Sequence, residues 1–143
     1  MEKIVFECED LITDEMMMES VWAEKVGDHY KLDNIPFYAR GYAWGDVLAV
    51  QEKDGQLVVS YLIEESGHST VRMIFNDVSD VQPTRDELTA LGCSSEISHI
   101  AVLIAVDIPP KVSYGLVKLF LDKGEQENKW EYEEGCIAQD GYL

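Results

Sequence analysis

The chain has 143 residues, of which 46% are apolar and 10% aromatic, enough for one folded domain with a hydrophobic core. It carries 28 acidic against 11 basic side chains, a formal net charge of −17, and both halves are acidic. This field repels phosphate backbones and anionic lipids, so we expect neither nucleic-acid binding nor membrane binding. A basic protein partner would be attracted. Solubility alone is an equally good explanation of the charge.

The first residues and the cysteines indicate a location in the cell. The opening residues MEKIVFECEDL have one lysine and a short apolar run broken by acids, which is not the pattern of a signal peptide. No run of about 20 apolar residues could span a membrane. The three cysteines, Cys8, Cys93 and Cys136, are widely spaced, which favours reduced thiols over a disulfide framework. We therefore expect a cytoplasmic protein.

The first half of the chain has a strand pattern. EKIVFECED predicts a first strand, and 20–26 and 29–32 predict two short strands joined at Gly27-Asp28. DVLAVQEKDGQLVVSYLIEE contains two apolar runs around Asp54-Gly55, a pair typical of the type I′ hairpin turn. STVRMIFND then continues the alternation. These signals predict an antiparallel β-meander or a small partial barrel.

The pattern changes after residue 76. Thr84 and Glu87 form a T-x-x-E capping box, which predicts a short helix that ends at Gly92. HIAVLIAVDIPP predicts a strand buried on both faces. Ser113 can cap a second helix that Gly124 would close. KWEYEEGCI predicts a last strand with Trp130 and Tyr132 on one side and Glu131 and Glu133 on the other. The second half is thus predicted to be β-α-β-α-β.

Together these elements predict the α+β class and one domain over residues 1–143. Within it, the composition indicates two sub-lobes, a β-rich one over 1–68 and an α/β one over 69–143. No linker, internal repeat or low-complexity segment separates them.

The sequence offers no recognised catalytic or metal-binding motif. His29, His68 and His99 are far apart, and no C-x-x-C or H-x-x-x-H spacing places two ligands on one element. The glycine patterns of phosphate-binding loops are absent. Cys93 has no electropositive neighbours in the sequence, so it is expected to be structural. We expect no metal, no cofactor and no enzymatic activity.

The stretch LDNIPFYARGYAWGDVLAV, residues 32–50, is the most unusual part of the chain. Asp33-Asn34 can form a turn with their own backbone, and Pro36 fixes φ after it, so an architectural corner is the first interpretation. Arg40 is the exception, since it is the only basic residue between Lys31 and Lys53. The second interpretation is a ligand pocket in which Arg40 holds an anionic group. Its residues would be Phe37, Arg40, Tyr42, Trp44 and Asp46.

These residues also carry a resemblance. The pattern W-A, then Y-x-(L/I)-D-N-I-P-F, then G-D resembles an uncharacterised bacterial family of small single-domain proteins. The resemblance covers about residues 19–110, and residues 33–37 with Gly45-Asp46 are its most specific part. It implies one bacterial domain of unknown function and transfers no catalytic residue.

Two functions fit these observations. The first is an intracellular inhibitor, such as an immunity protein that neutralises a basic toxin domain, for example a nuclease, by occupying its positive cleft. Its partner-binding residues would be Asp28, Glu64, Glu65, Trp130, Glu131, Tyr132, Glu133 and Glu134. Trp44, Trp130 and Tyr132 are the candidate anchors, although such residues more often belong to the core. The alternative is a small-ligand-binding or regulatory module that uses the aromatic corner around Arg40.

Overall fold

The computed structural model describes residues 1–9 and 15–139 and confirms the α+β class. The first five strands form a closed barrel, and the next four form a separate sheet that carries two helices. The barrel ends at residue 64 and the second sheet begins at residue 69. The chain therefore passes from one sheet to the other over 65–68.

The barrel is a closed meander in which each strand pairs antiparallel with the next. Its strands are β1 (Glu2–Glu9), β2 (Met16–Val26), β3 (His29–Leu32), β4 (Val47–Lys53) and β5 (Gln56–Glu64). A parallel contact between Val5 of β1 and Val58 of β5 closes it. Inward-facing Ile4, Leu32 and Leu48 are each 0% exposed, as the alternation of a half-buried strand requires. Closure removes free sheet edges.

The predicted hairpin between β4 and β5 is confirmed. Asp54 and Gly55 have φ values of 50° and 80°, the positive φ at both central positions that a type I′ turn needs. Lys53 and Gln56 pair across it. The Asp-Gly dipeptide thus fixes the register of the two strands.

The second sheet differs from the predicted order by one strand. Its elements are β6 (Ser69–Phe75), α1 (Val81–Ala90), β7 (Ser94–Ile97), β8 (Leu103–Ile108), α2 (Tyr114–Gln126) and β9 (Trp130–Cys136). A single 3-10 turn, Val78–Asp80, precedes α1. The spatial order is β7-β8-β6-β9, with antiparallel neighbours. This β-α-β-β-α-β arrangement is the ferredoxin-like motif.

Strand β7 is the element that the prediction omitted. It has four residues, two of them serine, and forms the edge of the sheet against β8 alone. Serine favours turns and caps rather than strands, so local preference gives no strand signal there. Pairing with the buried β8 overrides that preference.

The predicted helix boundaries need two corrections. Helix α1 begins at Val81, so Thr84 is a buried residue inside it and not its N-cap. Pro83 is tolerated because its missing N–H is one of the donors that the first turn leaves unpaired anyway. Gly124 does not close α2, which continues to residue 126. The cap at Ser113 is confirmed, since its side chain accepts from the Leu116 N–H.

The second sheet has one face toward the helices and one toward the barrel. Val71, Met73, Ile104 and Val106 pack with both helices in a core where each is 0% exposed. The other face contacts the loop between β3 and β4. There the Gly41 N–H donates to the Gly135 carbonyl at 2.9 Å, and the Thr70 hydroxyl donates to the Tyr42 carbonyl at 3.1 Å. This loop therefore joins the barrel to the sheet.

Candidate functional site

The loop over 33–46 is held by a buried carboxylate from the barrel. Glu19 of β2, 8% exposed, accepts the backbone N–H groups of Phe37, Tyr38 and Ala39 at 2.6, 3.1 and 3.0 Å. Three donors on one ionised acceptor form a strong, directional clamp. The loop thus has one imposed conformation, which fixes the direction of the side chains on it.

Further side chains fasten the ends of the loop. The two oxygens of Asp46 accept the N–H groups of Ala43 and Ser66, each at 2.9 Å. The Asn34 side-chain oxygen accepts the Trp22 N–H at 2.5 Å. Asp46 and Asn34 thus bond to backbone groups, which makes their role architectural. The predicted turn of Asp33-Asn34 on their own backbone is not what these side chains form, since Asn34 accepts from Trp22 of β2 and Asp33 from the Trp44 ring.

A groove of about 620 Å³ lies where this loop meets the second sheet. Its apolar lining includes Phe37 and Tyr38 from the loop and Ile74 and Leu103 from the sheet. Ile74 is 53% exposed, unusual for a large aliphatic side chain on a central strand. Carboxylates of Glu9, Glu131 and Glu133 lie along the groove. It is therefore an apolar surface with acidic edges.

Two guanidinium groups share one of these carboxylates. Glu133 accepts from Arg72 at 3.3 Å through one oxygen and from Arg40 at 3.0 Å through the other. Arg72 is 4% exposed and also donates to the Ala39 carbonyl at 2.5 Å. Burial lowers the pKa of Arg72, and the charges of Glu133 and Glu19 offset only part of this shift. Among the described residues, Glu9 and Glu131 have no ion-pair partner.

The predicted aromatic pocket does not form as a single site. Phe37 and Arg40 line the groove. Tyr42 instead contacts Phe6 of the barrel, with ring centroids 4.8 Å apart. Asp46 is buried and bonded to backbone. The side chains of this loop point to different sides, so the five predicted pocket residues do not share one environment.

The remaining member of that pocket, Trp44, lies elsewhere. Its ring contacts His68 at a centroid distance of 4.9 Å, and its Nε1–H donates to Asp33 at 3.1 Å. It is half-buried and absent from the groove lining. Trp44 therefore lies beside His68 and not in the groove.

The predicted partner-binding residues of β9 divide between the two faces of the sheet. Glu131 and Glu133 lie at the groove. Glu134 accepts from the Tyr114 hydroxyl at 2.5 Å on the helix side. Tyr132 lines the groove too, and its hydroxyl bonds to Lys118 at 2.9 Å and to Asp122 of α2. The alternation predicted for this strand places the two groove carboxylates together.

Trp130 is not available as a partner anchor, and that prediction is wrong. It is 3% exposed, its Nε1–H donates to the Leu121 carbonyl at 2.9 Å, and it packs against Phe75 and Phe120. An indole held in this way contributes to the core under α2. It is a structural residue.

The other acidic candidates belong to the barrel side. Asp28 is exposed in the turn between β2 and β3, and Glu64 ends β5. Glu65 lines a second, smaller cavity of about 270 Å³. None of the three lines the groove. They do not share a site with Glu131 and Glu133.

A histidine–aspartate pair that sequence reasoning missed lies beside the smaller cavity. His68 Nδ1 is 2.8 Å from Asp107 Oδ1. Burial raises the pKa of Asp107, and the hydrogen bond and charge of His68 oppose that shift. The pair is 39 residues apart in sequence, and no motif joins them. Only the pairing of Thr70 with Asp107 across β6 and β8 brings them together.

The smaller cavity has no activated nucleophile. Cys136 lines it, but burial raises the pKa of this thiol, and the charges of Asp46 and Glu65 raise it further. A thiol of raised pKa holds its proton at neutral pH and attacks poorly.

In the described ranges no group of three or more His, Cys, Asp or Glu side chains is placed to hold a metal ion. Neither of the helices found there has the length and apolar character of a membrane span.

Thiol labelling checks the environments of the cysteines. Cys8 and Cys93 are buried, and burial raises the pKa of each to about 11, while Cys136 is half-buried. At pH 8 we expect iodoacetamide to modify Cys136 first and slowly, and the other two only after denaturation. Peptide mass spectrometry over time measures this order. Rapid labelling of Cys93 in the native protein would contradict it.

The fold and the sequence were compared with those of known proteins. A crystal structure described as "Novel crystal structure of a hypothetical protein from Neisseria gonorrhoeae" has a TM-score of 0.84 and 22% identity, with 96% of each chain covered. At this identity the likeness shows a shared fold. Among curated proteins no match was found.

The family comparison covers most of the chain. The model described as "Domain of unknown function (DUF4265)" matches residues 19–132, from the clamp residue Glu19 to Tyr132 of β9. The match includes the loop over 33–46 and both central strands of the second sheet, and it confirms the resemblance to an uncharacterised family. The chain belongs to the DUF4265 family.

Proposed function

We propose that the protein is a cytoplasmic, acidic binding protein that neutralises a basic protein, most simply a toxin domain, by occupying its positive cleft. The observation that carries the proposal is the groove, where an exposed apolar surface at Ile74 is bordered by Glu9 and Glu131, two carboxylates without an ion-pair partner in the described part of the chain. An apolar centre with a charged edge is the usual anatomy of a specific interface.

The charge of the whole chain supports the same proposal. A net charge of −17 attracts a basic protein over several ångströms and raises its rate of encounter. The attraction is not selective by itself, because any acidic surface has it. Selectivity would come from the groove. A partner bound there would displace water from Phe37 and Ile74 and form ion pairs with Glu9 and Glu131.

The first experiment identifies the partner and its loss of activity. The protein is used to capture basic proteins from its native cell lysate at low and high salt, and each captured protein is assayed for toxic activity with and without the inhibitor. The proposal expects stoichiometric binding, loss of the partner's activity and weaker binding at high salt. Capture without loss of activity would count against it.

A pair of charge reversals then tests the groove. We expect the double variant E9K/E131K to weaken binding of the partner roughly 10- to 100-fold, because two favourable charge contacts become repulsive. The control D28K/E64K changes the net charge equally at two exposed barrel sites outside the groove. It should change affinity by about threefold or less. Equal losses in both variants would show that total charge, and not the groove, decides binding.

One observation supports the small-ligand alternative. Arg72 Nε is buried and has no hydrogen-bond partner among the described residues, and Arg40 lies in the same groove. Two guanidinium groups can hold a carboxylate or phosphate. A rise in melting temperature with an anionic metabolite, abolished by R40Q and unaffected by basic proteins, would favour this alternative.

A further inference from the structure

We infer that the groove is a seat for an arginine side chain of the basic partner, and that Arg40 occupies part of this seat in the free protein. The inference rests on the proposed function and names the chemical group that the groove recognises. It begins from the unequal way in which Arg40 and Arg72 share Glu133.

The guanidinium groups of Arg40 and Arg72 differ in how easily each can dissociate from Glu133. The Arg72 side chain is 4% exposed and also bonded to the Ala39 carbonyl, so it stays on Glu133. Arg40 and Glu133 are 53% and 48% exposed and share one contact at 3.0 Å. An exposed pair of this kind contributes about 0–1 kcal/mol, so it exchanges readily. One oxygen of Glu133 is therefore fixed, and the other is available to a competing cation.

The rest of the groove suits arginine better than lysine. Ile74 and its cross-strand neighbour Leu103 offer an aliphatic surface for the long stem of the side chain. Phe37 and Tyr38 offer aromatic rings, on which a planar guanidinium stacks more favourably than an ammonium group. Glu131, the other cross-strand neighbour of Ile74, gives a second carboxylate at the same place.

Arg72, which lines the groove, also has a buried donor without an acceptor among the described residues. This donor is its Nε–H. A backbone carbonyl next to the incoming arginine would supply one, which removes the cost of an unpaired buried donor, about 1–3 kcal/mol. The occupant is thus an arginine in an extended segment that presents its carbonyl groups.

Removal of Arg40 should therefore strengthen binding. The probe is the synthetic peptide Ac-LRLRL-NH2, titrated into labelled protein and followed by NMR chemical shifts. We expect R40Q to bind it about 3- to 10-fold more tightly than the wild type, because Glu133 no longer has an internal competitor. The matched lysine peptide Ac-LKLKL-NH2 should gain less than twofold, since an ammonium group makes no bidentate contact.

The control variant is K129Q. It removes one exposed cation from a comparable pair, Lys129–Glu127 at 3.9 Å, with exposures of 50% and 47%, outside the groove. Its net charge changes by the same amount as in R40Q, so general attraction rises equally. A gain for the arginine peptide that is clearly larger in R40Q than in K129Q supports the seat.

The other outcomes overturn the inference. Equal gains in R40Q and K129Q would mean that only net charge matters, and weaker binding by R40Q would mean that Arg40 itself contacts the ligand. Failure of R40Q to bind the arginine peptide at millimolar concentration also overturns the seat. The proposed function fails separately, when the captured basic partner keeps its activity or when E9K/E131K binds it as well as the wild type does.

Discussion

Replacement of Gly124 by alanine is expected to destabilise the protein by about 3 kcal/mol, although alanine is the better helix former. A Cβ at this position would lie 1.9 Å from Cζ2 and 2.2 Å from Cη2 of Trp130. The indole cannot easily retreat, because it is bonded to the Leu121 carbonyl and packed between Phe75 and Phe120. Overpacking at a rigid contact outweighs the gain of about 1 kcal/mol in helix propensity.

Denaturant unfolding of four proteins measures this contact. The wild type, G124A, W130F and G124A/W130F form a double-mutant cycle, in which the smaller ring of phenylalanine makes room for the new methyl group. We expect the double variant to be more stable than the sum of the single losses by at least about 1 kcal/mol. Additive losses, or a stability of G124A equal to that of the wild type, would show that the ring is not fixed as described.

Gly124 also shows why some element boundaries could not be predicted from the sequence. Glycine within a helical pattern usually marks its end, because its backbone freedom opposes the helix. Here the helix continues, and the glycine is required because Trp130 lies against its backbone. That contact joins α2 to the next strand, and no local pattern reports it.

The elements that were predicted correctly have strong local causes. Asp54-Gly55 determines its turn through positive φ, and Ser113 determines a helix start through its side-chain hydrogen bond. Thr84 looked like such a start, but the preceding turn at 78–80 had already begun the helical path. Local chemistry thus predicts turns and helix caps well where no neighbouring segment has already started the helix.

The candidate site was predictable only in part. Strand alternation placed Glu131 and Glu133 on one face of β9, and the structure has both at the groove. The residues of the 33–46 loop were recognised as unusual, yet their separation into different environments depends on the clamp by Glu19, which lies on another strand, β2. Nothing in the sequence distinguishes Glu19 from the other glutamates, because only its burial in the folded structure makes it different among the described ones.

Replacement of Glu19 by alanine is expected to have the second large effect, a loss of about 3 kcal/mol in the free energy of unfolding. Three backbone donors, at Phe37, Tyr38 and Ala39, lose their shared acceptor, and each charged hydrogen bond contributes about 1.5–3 kcal/mol. Relief from burying a carboxylate offsets part of the sum. The control E24A removes an exposed glutamate from the same strand and should change stability by about 0.5 kcal/mol or less.

The same variant tests whether the clamp prepares the groove. Phe37, Tyr38 and Arg40 come from the clamped loop, whereas Ile74 and Glu131 come from the second sheet. If E19A is still folded at low temperature, its loop should become protease-sensitive and its affinity for a basic partner should fall at least tenfold, while the second sheet keeps its hydrogen-exchange protection. Unchanged affinity in a protein with a released loop would mean that recognition depends on the sheet carboxylates alone. In that case Glu131 and Ile74, and not the conformation of the loop, would define the binding surface.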